Sequence, residues 1–330
     1  MRYRARTGWC NRVPPTRTIN VVTVHWRTPK WIEVQLRYLE RHLGAPHRVF
    51  AALNGIDDPG LWERFFFAAD LPGTHGEKLN ALARIVSDQS DPTDVLVFLD
   101  GDAFPCAGLD PWIADTLAQV PLVAIRRDEN LGDHQPHPSF CATTVGFWQE
   151  IGGDWRGEPW INAAGREVVD VGGKLLHVLA SHQVEWMPLL RTNTYNPHPL
   201  WFGVYGHRIY HHGAGFQAVR AERVDWADRY RQKPGSGRPL RPTDANPSLG
   251  TIRARLAAGE LHLSDLRPRH AAVLGQATLK TLRLRREHRY FTRQLTSERA
   301  QELESLNQRV FAELSSDLSF ARRFDTDLAD

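Results

Sequence analysis

The chain has 330 residues, 42% hydrophobic and 24% charged, ordinary values for a soluble globular protein and enough length to bury a full core. Its 41 basic residues (36 Arg, 5 Lys) against 38 acidic ones leave a formal net charge of +3, which supplies no whole-chain argument for nucleic acid. The three cysteines, Cys10, Cys106 and Cys141, are odd in number and form no CxxC pair, which argues against a disulfide framework or structural zinc and for a reducing interior.

Residues 1–18 read as a basic N-terminal arm, MRYRARTGWCNRVPPTRT, without the apolar core of a signal peptide. No uninterrupted apolar run reaches the roughly 18 residues of a membrane span. The expected setting is therefore cytoplasmic, with any membrane contact peripheral. INVVTVHW (Ile19 to Trp26) is a β-branched run that predicts a strand, followed by a helical pattern at Ile32, Leu36, Leu39 and Leu43. HRVFAAL (His47 to Leu53) predicts a second strand, closed by the turn signal Asn54-Gly55. HGEKLNALARIVSD then places Leu79, Leu82, Ala83 and Val86 on one helical face. DVLVFLD and, later, Val120 to Ile125 are further strands. Strands separated by helices argue for an α/β fold with a mostly parallel sheet covered by helices on both faces.

The DVLVFL strand runs into Asp100-Gly101-Asp102. A buried strand has no need of two carboxylates at its end, whereas carboxylates at i and i+2 can hold a hard divalent cation, Mn2+ or Mg2+. In sheets of this kind ligands bind outside the carboxyl ends of the strands. The bland reading is a solvated Asp-Gly turn.

From about Asp128 the sequence becomes rich in turns, Trp and His. The domain reading is one domain at 19–230 in two halves (19–127 and 128–230), then a linker or loop rich in Pro, Gly and Ser at 231–250. Residues 251–330 form a C-terminal helical extension, in which His270 to Phe324 reads as one or two amphipathic helices. Such helices are packed on one face by default; pairing with a second copy as a homodimer is a further expectation.

Four segments in order, NVVTVHWR, GTHGEKLNAL, VLVFLDGDAFP and VGFWQEIGGDW, resemble glycosyltransferases of the GT-A fold, most closely glycosyltransferase family 2 and its relatives, over roughly residues 19 to 216. The resemblance implies transfer of a sugar from a nucleotide-diphosphate sugar to a hydroxyl of a saccharide or small-molecule acceptor. It implies Asp102 as direct metal ligand and Asp100 near the ribose or the metal's water shell. Thr23 and His25 would line the base pocket, with Lys78 and Asn80 facing the nucleotide. Asn54 stands where the family often carries an acid that reads the base. In YGHRIYHHGAGF, His211 or His212 resembles the family's late histidine ligand; neighbouring histidines point in different directions, so one of them serves. A separate zinc site at His207 and His211 is the rival there, disfavoured without HExxH or cysteine.

An inverting transfer needs a carboxylate base for the acceptor hydroxyl. Asp170, ahead of the apolar run Leu175, Leu176 and Leu179, is the first candidate, Asp154 the second and Glu167 the third; the family's acidic pair is absent. His137, Ser139, Trp155, Trp160 and Trp201 are the expected acceptor-side contacts, although most tryptophans are packing residues. Two alternatives remain. A nucleotidyltransferase would carry a Gly-rich loop after the first strand, and VHWRTPKW has none. A non-catalytic partner-binding protein would use the Arg-rich C-terminal helices.

Overall fold

The computed structural model describes residues 17–130, 132–163, 167–198, 200–213, 215 and 297–325. The expected arm up to residue 16, the linker at 231–250 and the helical extension before 297 lie outside the described residues.

Seven strands form the central sheet: β1 (Ile19–Trp26), β2 (His47–Asn54), β3 (Phe67–Ala69), β4 (Val95–Asp100), β6 (Leu122–Ile125), β7 (His137–Thr144) and β10 (Met187–Leu189). Their spatial order is β10-β6-β7-β4-β1-β2-β3. All neighbours pair parallel except β7, which runs antiparallel to both β4 and β6. The expected mostly parallel sheet is thus observed, with one reversed strand.

Side chains alternate across it, as the two-residue period of a strand requires. Val21, Ala51 and Val97 face one core with α1 (Ile32–His42) and α4 (Asp110–Leu117). Val22, Phe50 and Phe98 face the other core. There α3 (His75–Ser87), α5 (Val145–Glu150) and α6 (Gly173–Ser181) supply Leu79, Leu82, Trp148, Leu175 and Leu179. The apolar runs read from the sequence are therefore buried on both sides. α3 opens with a capping box, in which Thr74 accepts from the Glu77 N–H and Glu77 accepts from Thr74 N. Its second residue must be glycine: a Cβ on Gly76 would lie 2.5 Å from the Trp155 carbonyl oxygen.

Chain order explains where the strand order reverses. From β1 the chain crosses through α1 to β2, and through the short α2 (Pro59–Trp62) to β3, all on one side. It then returns through α3 to β4 on the other side of β1. The carboxyl ends of β1 and β4 are a topological switch point, the place where such sheets bind ligands.

β4 continues through Gly101 into β5 (Ala103–Pro105), which belongs to a second, antiparallel sheet with β11 (Gly203–Tyr205) and β12 (Ile209–His211) in the order β11-β12-β5. A ribbon of β8 (Glu158–Ile161) and β9 (Glu167–Asp170) precedes α6. The described end of the chain is one long helix, α7 (Ser297–Ser316), followed by a 310 turn at Phe320–Phe324. Leu303, Val310 and Leu314 of α7 join Trp31, Tyr38, Phe104, Phe202 and Tyr210 in a third core. Each such side chain contributes about 2 kcal/mol of burial. The default reading of a helix packed on one face holds here. No described helix is long and apolar enough to cross a membrane.

Candidate metal and donor site

The Asp100-Gly101-Asp102 turn is held from beneath by α1. Gln35, fully buried, donates both hydrogens of its amide nitrogen, to the Asp100 and Ala103 carbonyls at 2.8 Å each. Its Oε1 must then accept, and it faces His25 Nε2 at 3.2 Å, so that nitrogen carries the ring proton. Burial lowers the His25 pKa to about 4 against the lift from Gln35 and Asp102, and the imidazole is neutral.

Above the turn three side chains converge. Asp102 Oδ2 accepts from the N–H groups of Gly213 (3.1 Å) and Gly215 (2.9 Å). Its Oδ1 faces His211 Nε2 at 3.4 Å, and that nitrogen lies 3.7 Å from Asp100 Oδ2. One ligand atom from each of Asp100, Asp102 and His211 lies within 4.8 Å of the other two. Asp100 also meets His75 Nε2 at 3.0 Å and His137 Nδ1 at 3.9 Å. Burial pushes both carboxyls up, but His75 with His137 and His211 outweighs it at Asp100, and His211 outweighs it at Asp102. Both are held below the usual carboxylate range. Two ionised, nearly buried carboxylates facing each other across an imidazole nitrogen fit a divalent cation well. Oxygen donors suit Mg2+ and Mn2+, and the nitrogen suits Mn2+ better.

The remaining expected site residues divide. His212 turns away from the carboxylates: it is fully buried, with Tyr210 OH at 3.1 Å on Nδ1 and Asn307 Oδ1 on Nε2. The expectation of either histidine is corrected to His211, because successive residues leaving a strand face opposite ways. Thr23 and His25 are fully buried within β1 and do not line an open pocket; Trp26 is the residue of that strand exposed at its end. Lys78 Nζ lies 4.3 Å over the Trp26 ring. Asn54 donates to Asp70 Oδ1 and to the Leu71 carbonyl, which places the Asp70 carboxylate beside it.

Asn80 is held by partners of its own. Its amide donates to Asp154 Oδ1 at 2.6 Å, and its oxygen accepts from Trp155 N at 2.9 Å. Asp154 also accepts from Arg156 N, Nε and Nη2. Trp155, Trp160 and Trp201 are all buried, Trp155 stacked on Trp148 and Trp201 on His198, and the expectation that they face a sugar is corrected. An indole buries too much apolar surface to leave exposed without need. Ser139 is likewise buried, its hydroxyl 2.8 Å from His137 Nδ1, and that nitrogen lies 3.9 Å from Asp100 Oδ2. Asp170 and Glu167 lie exposed on β9, and Asp170 accepts from Val171 N at 2.8 Å.

Sequence reasoning missed Gln35, His75, Arg127 and Asp133. Arg127 follows β6, and its Nε is buried with no hydrogen-bond partner among the described residues. Its closest ion pair is Glu129 at 3.8 Å. Besides burial, it feels the charges of Tyr205, Glu129, Asp133 and Asp170. Burial raises the Asp133 carboxyl to about 6, against Arg127 and the amides of Asn130 and Asn162. The signal was present: Arg126-Arg127-Asp128-Glu129 follows an apolar strand just as Asp-Gly-Asp does.

No known protein-family profile matches the sequence, and no curated protein matches it. Among solved structures, the chain is similar to the mannosyltransferase PcManGT from Pyrobaculum calidifontis in complex with GDP-Man and Mn2+. Identity there is 14% over 92% of this chain and 86% of that one, with a TM-score of 0.39. It is similar to glucosyl-3-phosphoglycerate synthase from Mycobacterium tuberculosis in complex with Mn2+ and uridine-diphosphate-glucose, at 16% identity over 52% and 69% of the two chains and a TM-score of 0.33. It is also similar to the galactosyltransferase LgtC in complex with donor and acceptor sugar analogs, at 14% identity and a TM-score of 0.29. That likeness covers 40% of this chain and spans 59% of LgtC's length.

Proposed function

We propose that the protein is a metal-dependent glycosyltransferase that moves a sugar from a nucleotide-diphosphate sugar to a hydroxyl of a saccharide or small-molecule acceptor. The observation that carries this reading is the convergence of Asp100, Asp102 and His211 at the carboxyl end of β4, beside the switch point between β1 and β4. Those three residues would hold Mn2+ or Mg2+, with Mn2+ favoured by the imidazole. A cation bound there supplies positive charge against a departing diphosphate.

The chain's own groups serve the same end. His75 brings a donor to the carboxylate from the first turn of α3, and Lys78 places an ammonium one turn later. The half-exposed Trp26 offers a flat face for a base, and Asp70 offers acceptors for its N–H groups. In the finer reading the transfer inverts the anomeric centre, with Asp170 taking the proton of the acceptor hydroxyl. What supports Asp170 over Asp154 is that Asp154 has both oxygens occupied by Asn80 and Arg156, whereas Asp170 is exposed and within electrostatic reach of Arg127. Buried, free Cys106 and Cys141 support a reducing, cytoplasmic setting.

Thermal unfolding with Mn2+ and a panel of nucleoside diphosphates tests the reading. At one hundred times Kd a ligand of the folded state adds about 2.7 kcal/mol, several degrees in Tm. One nucleotide should raise Tm only with the cation present, and Asp102→Asn should abolish the shift. Equal shifts in the wild type and Asp102→Asn would reject the site.

A further inference from the structure

The segment after β12 ties the metal group to the far end of the chain. His212 N donates to the Asp102 carbonyl at 3.0 Å, and the His212 carbonyl accepts from Phe202 N at 3.1 Å. Gly213 and Gly215 supply the two N–H groups on Asp102 Oδ2. Gly215 fits so closely that an added Cβ would lie 2.6 Å from Asp102 Oδ2 and 2.5 Å from Trp31 Nε1. Trp31 Nε1 in turn donates to the Gly215 carbonyl at 3.1 Å.

α7 closes over this segment through two side chains one helical turn apart. Asn307 Oδ1 accepts from His212 Nε2, and the Phe311 ring meets Trp31 edge-on at 4.9 Å. The Trp31 ring also lies 4.4 Å from the His212 ring. Asn307 sits in the same stripe as Leu303, Val310 and Leu314, the spacing of a helix seam, and it is as buried as they are. An amide in an apolar seam is costly unless it is hydrogen-bonded, and it fixes the register of packing because one position alone satisfies it. In α7 that position is over His212.

We propose that α7 is a working part of the metal centre: Asn307, acting through His212, positions the segment that carries His211 and caps Asp102, so cation binding and docking of α7 strengthen each other. The proposal rests on the metal-site reading above. Asn307 touches no ligand of the cation and is a positioning residue. A cation that binds the docked arrangement better than the undocked one must favour docking by the same factor.

Mn2+ titration of the full chain, followed by the electron paramagnetic resonance signal of free Mn2+, is the test, with hydrogen exchange of the α7 amides as the reciprocal readout. Asn307→Leu keeps the volume of the seam and removes the acceptor, and it should weaken Mn2+ binding about ten-fold. Gln308→Ala, whose side chain reaches Lys30 and Glu304 at the surface, should leave it unchanged. In the wild type, Mn2+ should slow exchange in α7 while leaving α6 unaffected, and Asp102→Asn should lose that protection. The wild-type exchange measurement stands even if Asn307→Leu fails to fold. Mn2+ binding that Asp102→Asn abolishes but Asn307→Leu leaves intact, with α7 exchange indifferent to the cation, overturns this proposal alone. Absence of Mn2+ binding in the wild type overturns the metal reading and this proposal with it.

Discussion

Two acidic corners, one in the loop between α5 and β8 and one at the carboxyl end of β4, differ in what surrounds the charge. At Asp154 the chain satisfies both oxygens itself: Asn80 and Arg156 N donate to Oδ1, and Arg156 Nε and Nη2 donate to Oδ2 at 2.8 and 2.5 Å. Burial pushes that carboxyl up, and Arg156 and Asn80 hold it below its ordinary value. At Asp100 and Asp102 the neighbours of each carboxylate include the other carboxylate and shared histidines. A carboxylate saturated by its own chain is a structural clamp. Two that face each other across the His211 nitrogen form a group that could hold a cation.

The sharpest break of this contrast is Asp102→Asn, which should cut cation-dependent turnover by about a thousand-fold or more, since it removes a proposed metal ligand while preserving shape. Steady-state kinetics beside a melting curve checks it: turnover should collapse while Tm stays within a few degrees. Next in size, Asp170→Asn should lower kcat about a hundred-fold, the scale of a lost general base, with Mn2+ affinity unchanged. Unaltered kcat would remove Asp170 from the mechanism.

Asp154→Ala sharpens the contrast from the other side. It leaves the amide of Asn80 without its acceptor and should cost about 2 to 3 kcal/mol in urea unfolding, with turnover per folded molecule retained. Loss of turnover without loss of stability would make Asp154 catalytic after all.

The smallest effect concerns the support beneath the turn. His25 is lowered by burial to about 4 in the folded protein, against 6.5 for the ordinary imidazole. The unfolded chain therefore binds the extra proton between those values. The stability His25 contributes is fully present above pH 6.5 and is lost as pH falls toward 4. Between pH 7 and 5 the loss amounts to about 2 kcal/mol. Asp133, raised to about 6, acts in the opposite direction over part of that window. Comparing the wild type with His25→Gln at both pH values isolates the histidine: the variant should lack this part of the acid sensitivity.

The same contrast shows what the sequence could carry. β1, β2, β4, α1 and α3 were legible because long apolar runs and helical stripes report burial directly, and the Asp-Gly-Asp turn stood out against the strand before it. His211 was legible only as one of a pair, since choosing it requires knowing that β12 ends there. At Asp154, GGDW does not reveal that Arg156 folds back onto the carboxylate. The three tryptophans were misplaced because residue type says that an indole packs, not against what. Gln35 and Asn307 were overlooked for one reason: a polar residue inside an apolar stripe reads as an interruption, and only the partner across the fold turns it into a contact. The small sheet of β5, β11 and β12 has three-residue strands, too short to display any period.

The most direct measurement is anomalous diffraction at the manganese edge from crystals grown with Mn2+ and a nucleoside diphosphate. The account predicts one strong peak bounded by Asp100, Asp102 and His211, with the diphosphate against it at the carboxyl end of β4. A peak elsewhere, or none while the nucleotide is bound, would contradict it.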